Sequence, residues 1–244
     1  KTLFDYSYII PLSILVLVGL YDDINKIDYK LKFIFQIIAA KIIIDNGLII
    51  DNLHGVLGIY DLSRLVAQVL TIFIIVGLIN SINFVDGIDG LATTIILIFI
   101  LSFEYFSYTA SPFRNISIIL IPSLIWFLFF NYKKDKKIFL GDSGSLFLGG
   151  LVSIYTIYIL SADYLIKPQY DLHKVIYVFT ILAYPIIDII RIVFIRILNG
   201  KSPFQPDKNH IHHVILSFTN KHSITTIIIG LISILIAVIS HLIL

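Results

Sequence analysis

The sequence predicts an all-α, polytopic membrane protein. Hydrophobic residues make up 58% of its 244 positions and charged residues only 14%, and the mean hydropathy is +0.95. This apolar share is far above that of an ordinary soluble domain. The apolar residues occur in continuous runs and do not alternate with polar ones, which disfavours a β-barrel. We therefore expect helices that cross the bilayer.

A helix needs ~20 mostly apolar residues to cross a bilayer, and somewhat fewer when its ends snorkel or the bilayer thins. About eight transmembrane helices are predicted, at residues 4–20, 32–44, 65–79, 91–106, 116–130, 146–161, 175–197 and 224–244. Their connections would alternate between the two faces of the membrane. We expect residues 1–244 to form a single integral-membrane domain.

The basic residues predict the orientation. The loops on the same face as Asp22 carry twelve of the eighteen basic residues, and positive charge favours the cytoplasmic side. These residues are Lys26, Lys30, Lys32, Lys133, Lys134, Lys136, Lys137, Arg191, Arg196, Lys201, Lys208 and Lys221.

Other features of the composition narrow the function classes. The chain starts at Lys1 and contains no Met, which predicts that a segment precedes it. The absence of Cys excludes disulfides, thiolate metal sites and a Cys nucleophile. A net charge of +2 gives no argument for a nucleic-acid partner.

Four polar clusters interrupt the apolar runs, and all four fall on the predicted cytoplasmic face. They are YDDINK at 21–26, NSINFVDGIDGLA at 80–92, FLGDSGS at 139–145 and PDKNHIHH at 206–213. Acids at membrane depth are costly, so a functional site is the leading interpretation.

The first two clusters are rich in acids. Asp22 and Asp23 would repel each other unless a cation lay beside them. Asn83, Asp86 and Asp89 recur every three residues, next to glycines that allow a ligand to approach the backbone. The alternative is a polar turn in which Asp89 caps the next helix.

The third cluster places Asp142 between two glycines, just before a helix predicted to start near Leu146. The N–H groups of that helix could face a phosphate. In the fourth cluster, His210, His212 and His213 stand beside Lys208 and Asn209.

A zinc site made of the three histidines is the obvious rival reading of the fourth cluster. In an extended loop, however, neighbouring side chains diverge, and no Cys is present to complete a structural site. Hydrogen bonding to phosphate or sugar oxygens is favoured. Carboxylates with open positions and phosphate partners are typical of Mg²⁺ sites.

The four clusters, in this order, resemble those of the polyprenyl-phosphate N-acetylhexosamine-1-phosphate transferases, or glycosyltransferase family 4. The segments DD with KFIFQ, NxxNxxDGxDGL, GDSGS and HIHH carry the resemblance. Within the family, PDKNHIHH and PIIDIIR are similar to the undecaprenyl-phosphate GlcNAc-1-phosphate transferase branch. The family has about two further helices before the Asp-Asp loop.

The resemblance implies a bacterial cytoplasmic-membrane enzyme with its site on the cytoplasmic face. Its substrates would be a UDP-N-acetylhexosamine and undecaprenyl phosphate, its products UMP and a lipid-diphosphate sugar that starts a cell-envelope polysaccharide such as O-antigen. Its cofactor would be Mg²⁺, with Mn²⁺ as a substitute. A homodimer is left open.

The resemblance also implies residue roles. Asp22, Asp23 and Asp86 would be catalytic, and Asp142, Asp23 and Asp86 would hold the metal. Phe139 would stack on uracil, and Lys32, or the nearby Lys30, would meet phosphate. The remaining residues expected to bind substrate are Asn83, Asp89, Asn131, Asn209, His210, His212 and His213.

Two alternatives remain at this stage. One is the peptidoglycan branch that uses UDP-MurNAc-pentapeptide, which typically has three consecutive histidines where Ile211 intervenes here. The other is an ion-coupled transporter with DGIDG as a broken-helix ion site. Asp188 lies inside an apolar run, and its expected partner is Arg191, three residues along the same helix.

Overall fold

The computed structural model describes residues 6–106, 113–161, 172–202 and 209–243, and these ranges are helical with no strand. The helices, in chain order, are α1 Ile9–Asn25, α2 Tyr29–Asp45, α3 Arg64–Val85, α4 Leu91–Phe106, α5 Arg114–Asn131, α6 Gly141–Ser161, α7 Leu172–Ile181, α8 Ala183–Leu198, α9 Ile211–Thr219 and α10 His222–Ile243.

Each predicted span coincides with a helix or, in one case, with a pair of helices. Five helices of the described ranges are long and apolar enough to cross a membrane, and a sixth crossing results if α7 and α8 count as one broken span. The chain is thus an all-helical, multi-pass membrane protein. The shorter α4 is also apolar.

The core of the bundle is α6, which packs closely between α1 and α3. A Cβ atom at Gly149 would lie 2.8 Å from Cα of Ile79 on α3, and one at Gly19 on α1 would lie 2.5 Å from backbone atoms of α6. Small residues let transmembrane helices approach this closely. Close packing brings the ends of these three helices together.

The span predicted at 175–197 is interrupted by a break. Two helices, α7 and α8, meet there at an angle of 78°. Pro185, in the first turn of α8, has no N–H, and its ring would clash with the carbonyl group four residues earlier. A break just before this proline resolves the clash.

Two other predicted boundaries also shift. The helix expected near Leu146 begins at Gly141, so Asp142 lies in its first turn. The extended loop expected around HIHH is wrong, because His210 is the N-cap of α9 and His212 and His213 lie in its first turn. Lys208 lies outside the described residues.

Candidate active site

Asp23 at the end of α1 caps the N-terminus of α6. Its two carboxylate oxygens accept the backbone N–H groups of Asp142 at 2.8 Å and of Ser143 at 3.1 Å. A negative charge is stabilised at this end of a helix. The amides that the sequence suggested for a phosphate are therefore occupied by Asp23.

Gly141 makes this cap possible. Its φ is +66°, a conformation that favours glycine, and a Cβ atom there would lie 2.8 Å from Oδ2 of Asp23. The backbone conformation disfavours a larger residue, and a Cβ atom there would displace the Asp23 carboxylate from its cap.

Lys32 joins the first cluster to the third. Its ammonium group lies 2.6 Å from Oδ2 of Asp22 and also contacts Oδ2 of Asp142, although Lys32 and Asp142 are 110 residues apart. Asp22 Oδ1 accepts the backbone N–H of Ile27 at 2.8 Å. The side chain of Lys30 is exposed, so Lys32 is the lysine that reaches both acids.

Asn83, in the last turns of α3, donates a hydrogen bond to the Asp142 oxygen that Lys32 does not contact. Its Nδ2 donates to Asp142 Oδ1 at 3.0 Å and to Ser145 Oγ at 2.8 Å. The carboxylate of Asp142 is therefore oriented by helices α2 and α3 together. The second and third clusters therefore meet at one place in the fold.

A buried amide pair below this site was missed by the sequence reasoning. Asn80 Nδ2 donates to Gln36 Oε1 at 2.7 Å, and Gln36 Nε2 donates to Asn80 Oδ1 at 3.3 Å. Gln36 is fully buried. The pair fixes α2 against α3. The sequence held a signal for it, because the segment KFIFQ ends in Gln36 and the segment NSIN begins with Asn80, three residues before Asn83.

Asp86 lies just beyond the end of α3 among other acids. Its pKa is raised to about 7, chiefly by burial and further by the charges of Asp142, Asp23 and Asp89. Burial and the neighbouring negative charges make this carboxyl group hard to ionise. A bound cation would stabilise its ionised form.

Hard carboxylate oxygens of this kind suit Mg²⁺. Within the described ranges, no group of three or more His, Cys, Asp or Glu side chains is placed so that it could hold a metal ion. Mg²⁺ is usually held by one or two carboxylates, with water and substrate phosphate in the other positions. Asp86 and Asp142 fit that smaller donor set. The oxygens of Asp142, like those of Asp23, already accept hydrogen bonds, and each keeps a second lone pair that could face a cation.

Asp89 and Phe139 are brought together through Lys137. The Lys137 ammonium lies 2.6 Å from Asp89 Oδ2 and 4.9 Å from the centre of the Phe139 ring. His222 Nδ1 lies 2.9 Å from the same Asp89 oxygen. Phe139 is 73% exposed, which leaves one aromatic ring available for stacking at the rim.

Asn131 has an internal position. It is buried, and its Nδ2 donates to the carbonyl oxygen of Ile138 at 2.7 Å. Asn131 therefore shapes the loop that carries Phe139. Its predicted contact with substrate stays a prediction.

The three histidines form a cluster of rings. The ring centres of His212 and His213 are 4.4 Å apart, and those of His210 and His212 are 5.3 Å apart. The expectation that these side chains diverge is wrong, because the first helical turn brings them onto neighbouring positions. Burial, followed by the nearby His213, lowers the pKa of His212 well below its usual range.

Asp188 pairs with the histidine segment. Its Oδ2 lies 2.6 Å from His210 Nδ1, and its Oδ1 accepts the backbone N–H of Ile211 at 2.7 Å. Arg191 donates to the carbonyl oxygen of Asn209 at 2.6 Å. The predicted pairing of Asp188 with Arg191 is therefore wrong, since each residue is directed across to another segment.

Residues 6–160 match the family model described as glycosyl transferase family 4. The chain belongs to this family. The resemblance drawn from the four clusters is thus confirmed at the level of the family. The matched range holds the first three clusters.

Curated relatives extend the similarity to the histidine segment. A probable undecaprenyl-phosphate N-acetylglucosaminyl 1-phosphate transferase of Bacillus subtilis (strain 168) is 34% identical over 223 residues, covering 90% of this chain and 60% of the relative. The undecaprenyl-phosphate alpha-N-acetylglucosaminyl 1-phosphate transferase of Haemophilus influenzae is 33% identical over 219 residues, covering 86% and 60%.

A mycobacterial protein is also similar. The decaprenyl-phosphate N-acetylglucosaminephosphotransferase of Mycobacterium leprae is 30% identical over 234 residues, covering 88% of this chain and 58% of the relative. The chain therefore spans about 60% of the length of the curated relatives that it matches.

Proposed function

We propose that this protein transfers N-acetylglucosamine 1-phosphate from UDP-N-acetylglucosamine to undecaprenyl phosphate and releases UMP. The observation that carries the proposal is the bridge from Lys32 to Asp22 and Asp142, which joins two of the clusters at one end of the bundle. The named relatives support the sugar and the lipid carrier. The product would start a cell-envelope polysaccharide.

In the proposed reaction, an oxygen of the lipid phosphate attacks the β-phosphorus of the UDP-sugar. A new phosphorus–oxygen bond forms, and the bond from the β-phosphorus to the oxygen that bridges to the α-phosphate breaks, so UMP leaves. Such transfers depend mainly on positioning and on neutralisation of charge. A general base is not needed, because a phosphate monoester with a second pKa of ~6 is largely dianionic at neutral pH.

Asp142 and Asp86 would hold Mg²⁺, and Asn83 keeps the Asp142 carboxylate oriented. The ion, when bound, neutralises charge on the diphosphate. Lys32 donates to phosphate oxygens from a position already next to Asp142. Phe139, exposed at the rim, stacks on the uracil ring.

We further propose eight membrane crossings, with the site on the cytoplasmic face of a bacterial inner membrane.

The absence of cysteine allows a direct test of the orientation with single-cysteine variants. Lys134→Cys, in the loop before α6, should react with a membrane-impermeant maleimide only after cells are opened. Leu57→Cys, 93% exposed between α2 and α3, should react in intact spheroplasts. The reverse pattern would refute the orientation.

The activity is tested with purified protein in detergent. We expect UMP release from UDP-N-acetylglucosamine only when undecaprenyl phosphate and Mg²⁺ are both present. Asp142→Asn should nearly abolish it, while Asp135→Asn, an exposed acid in the preceding loop, should retain it. Turnover of Asp142→Asn with an unchanged Mg²⁺ requirement would contradict the metal role.

A panel of donors separates the remaining alternatives. Radiolabel should pass to the lipid from UDP-N-acetylglucosamine and not from UDP-MurNAc-pentapeptide. Transfer from the pentapeptide donor alone would place the protein in the peptidoglycan branch. Ion flux in proteoliposomes without any UMP release would instead favour a transporter.

A further inference from the structure

We propose that Tyr184, Asp188 and Arg191 form a positioning surface on α8 that orients the histidine segment, so that His212 presents Nε2 to a phosphate oxygen of the substrate. This inference rests on the proposed function for its catalytic consequence. The positioning itself is a property of the chain, and chemical labelling measures it without substrate.

The three residues share one face of a helix, because they are spaced by four and three positions. Each contacts a successive part of the facing segment. Tyr184 OH lies 3.0 Å from His212 Nδ1, and Asp188 holds His210 and the N–H of Ile211. With the bond from Arg191 to Asn209, residues 209–212 are held along their whole length.

Asp188 determines which ring nitrogen of His210 carries the hydrogen. Asp188 is 1% exposed and His210 is 5% exposed, so their hydrogen bond is shielded from water. A carboxylate only accepts hydrogen bonds, which requires that Nδ1 of His210 carries the hydrogen. A buried acid also needs partners for both oxygens, and the Ile211 amide supplies the second.

His212 is arranged differently. The residue is fully buried, and its Nε2 has no hydrogen-bond partner among the described residues. A Cβ atom at Gly87 would lie 2.7 Å from this nitrogen, so Nε2 is directed at the backbone between Asp86 and Asp89. Leaving a buried polar atom without a partner is costly, and a ligand that bonds to Nε2 would remove that cost.

Tyr184 selects which hydrogen bond Nε2 can make. When the Tyr184 hydroxyl donates to Nδ1, the neutral imidazole carries its hydrogen on Nε2 and becomes a donor. A donor suits a diphosphate oxygen, which only accepts. Tyr184 and Asp188 therefore act through the histidines and do not touch substrate.

The positioning is tested by chemical labelling that does not depend on activity. Diethyl pyrocarbonate modifies accessible imidazoles, and trypsin releases the peptide 209–221 for mass spectrometry. We expect His210 and His212 to be protected in the unmodified protein and labelled faster in Asp188→Ala and Tyr184→Phe. Tyr155→Phe, which removes a buried hydroxyl bonded to Ser117, is the matched control and should keep the protection.

The catalytic consequence is tested by steady-state kinetics. For Tyr184→Phe we expect kcat to fall about 10- to 100-fold, the range for a misplaced catalytic group, with KM for the UDP-sugar nearly unchanged. Asp188→Asn, which retains the shape, should fall less than Asp188→Ala. Tyr155→Phe should keep kcat.

The results separate the two proposals. Unchanged labelling and unchanged kcat in Tyr184→Phe would overturn the positioning surface, even if Asp188→Ala failed to fold. Faster labelling without any transfer activity in the unmodified protein would support the positioning and refute the proposed function.

Discussion

Gly87 lies directly against His212, since a Cβ atom on the glycine would be 2.7 Å from Nε2 of the imidazole. Real Cβ atoms do not approach a neighbour so closely. The turn between α3 and α4 and the histidine segment are therefore in contact, and the lack of a side chain at Gly87 leaves room for the imidazole against this turn.

Gly87→Ala should lower turnover by about 10- to 100-fold, because a shift of the ring misplaces its hydrogen bond. The φ of Gly87 is not positive, so alanine can adopt the backbone conformation and the fold should persist. Gly77→Ala is the control, since a Cβ atom there meets nothing within 4 Å. Equal initial rates for the two variants would contradict the expected contact.

Lys32→Met should bind divalent metal more tightly while losing transfer activity. The ammonium group now neutralises Asp22 and Asp142, and its removal leaves more negative charge for a cation. A gain of ~1 kcal/mol corresponds to about fivefold in affinity. Mn²⁺ titration by electron paramagnetic resonance measures it without substrate. Lys30→Met is the control, and weaker binding in Lys32→Met than in this control would refute the idea.

Asp86→Asn should stabilise the metal-free protein, and more so at pH 8 than at pH 5. The folded-state pKa is raised from 3.8 to about 7, so the folded protein holds this proton more tightly than the unfolded chain does. The stabilising contribution of the protonated acid is lost as pH rises through this interval. The asparagine side chain cannot ionise, so the variant does not lose stability in this way as the pH rises. Thermal unfolding at both pH values checks it, with Asp135→Asn as the control. A gain independent of pH would show that ionisation is not the cause.

Phe139→Ala should weaken UMP binding by ~1–3 kcal/mol, the value of one stacked base. KM for the lipid phosphate should change little. Phe73→Ala removes a ring of equal exposure, 73%, from the middle of α3 and should leave UMP binding unchanged. Calorimetric titration with UMP measures both. Equal affinities in the two variants would remove Phe139 from the nucleotide site.

Gly19→Ala should destabilise the protein by ~1–3 kcal/mol, the usual cost of overpacking. The added Cβ atom would lie 2.5 Å from backbone atoms of Asp142 and Ser143, which cannot move without separating α1 from α6. The melting temperature in detergent should fall relative to Gly77→Ala. An unchanged melting temperature would mean that the two helices are not in close contact.

Much of the fold was predictable from local sequence. Bilayer crossing depends on hydropathy over about 20 residues. Each predicted span falls on helix, and five of these helices, or six with the α7–α8 pair, are long and apolar enough to cross within the described ranges. Boundaries were less predictable, because the carboxylate that caps the start of α6 belongs to Asp23 on another helix. The break before α8 did have a local signal in Pro185.

The four polar clusters, and with them the family, were readable from residue order alone, because motif residues lie within short segments whose spacing the chain itself sets. The residue order did not reveal which partner each charged side chain would contact. Lys32 meets Asp142 across 110 residues, and Asp188 bonds to His210 and not to its helical neighbour Arg191. Hydrogen bonds and ion pairs act over a few ångströms, so the pairs that form depend on how helices distant in sequence pack against each other.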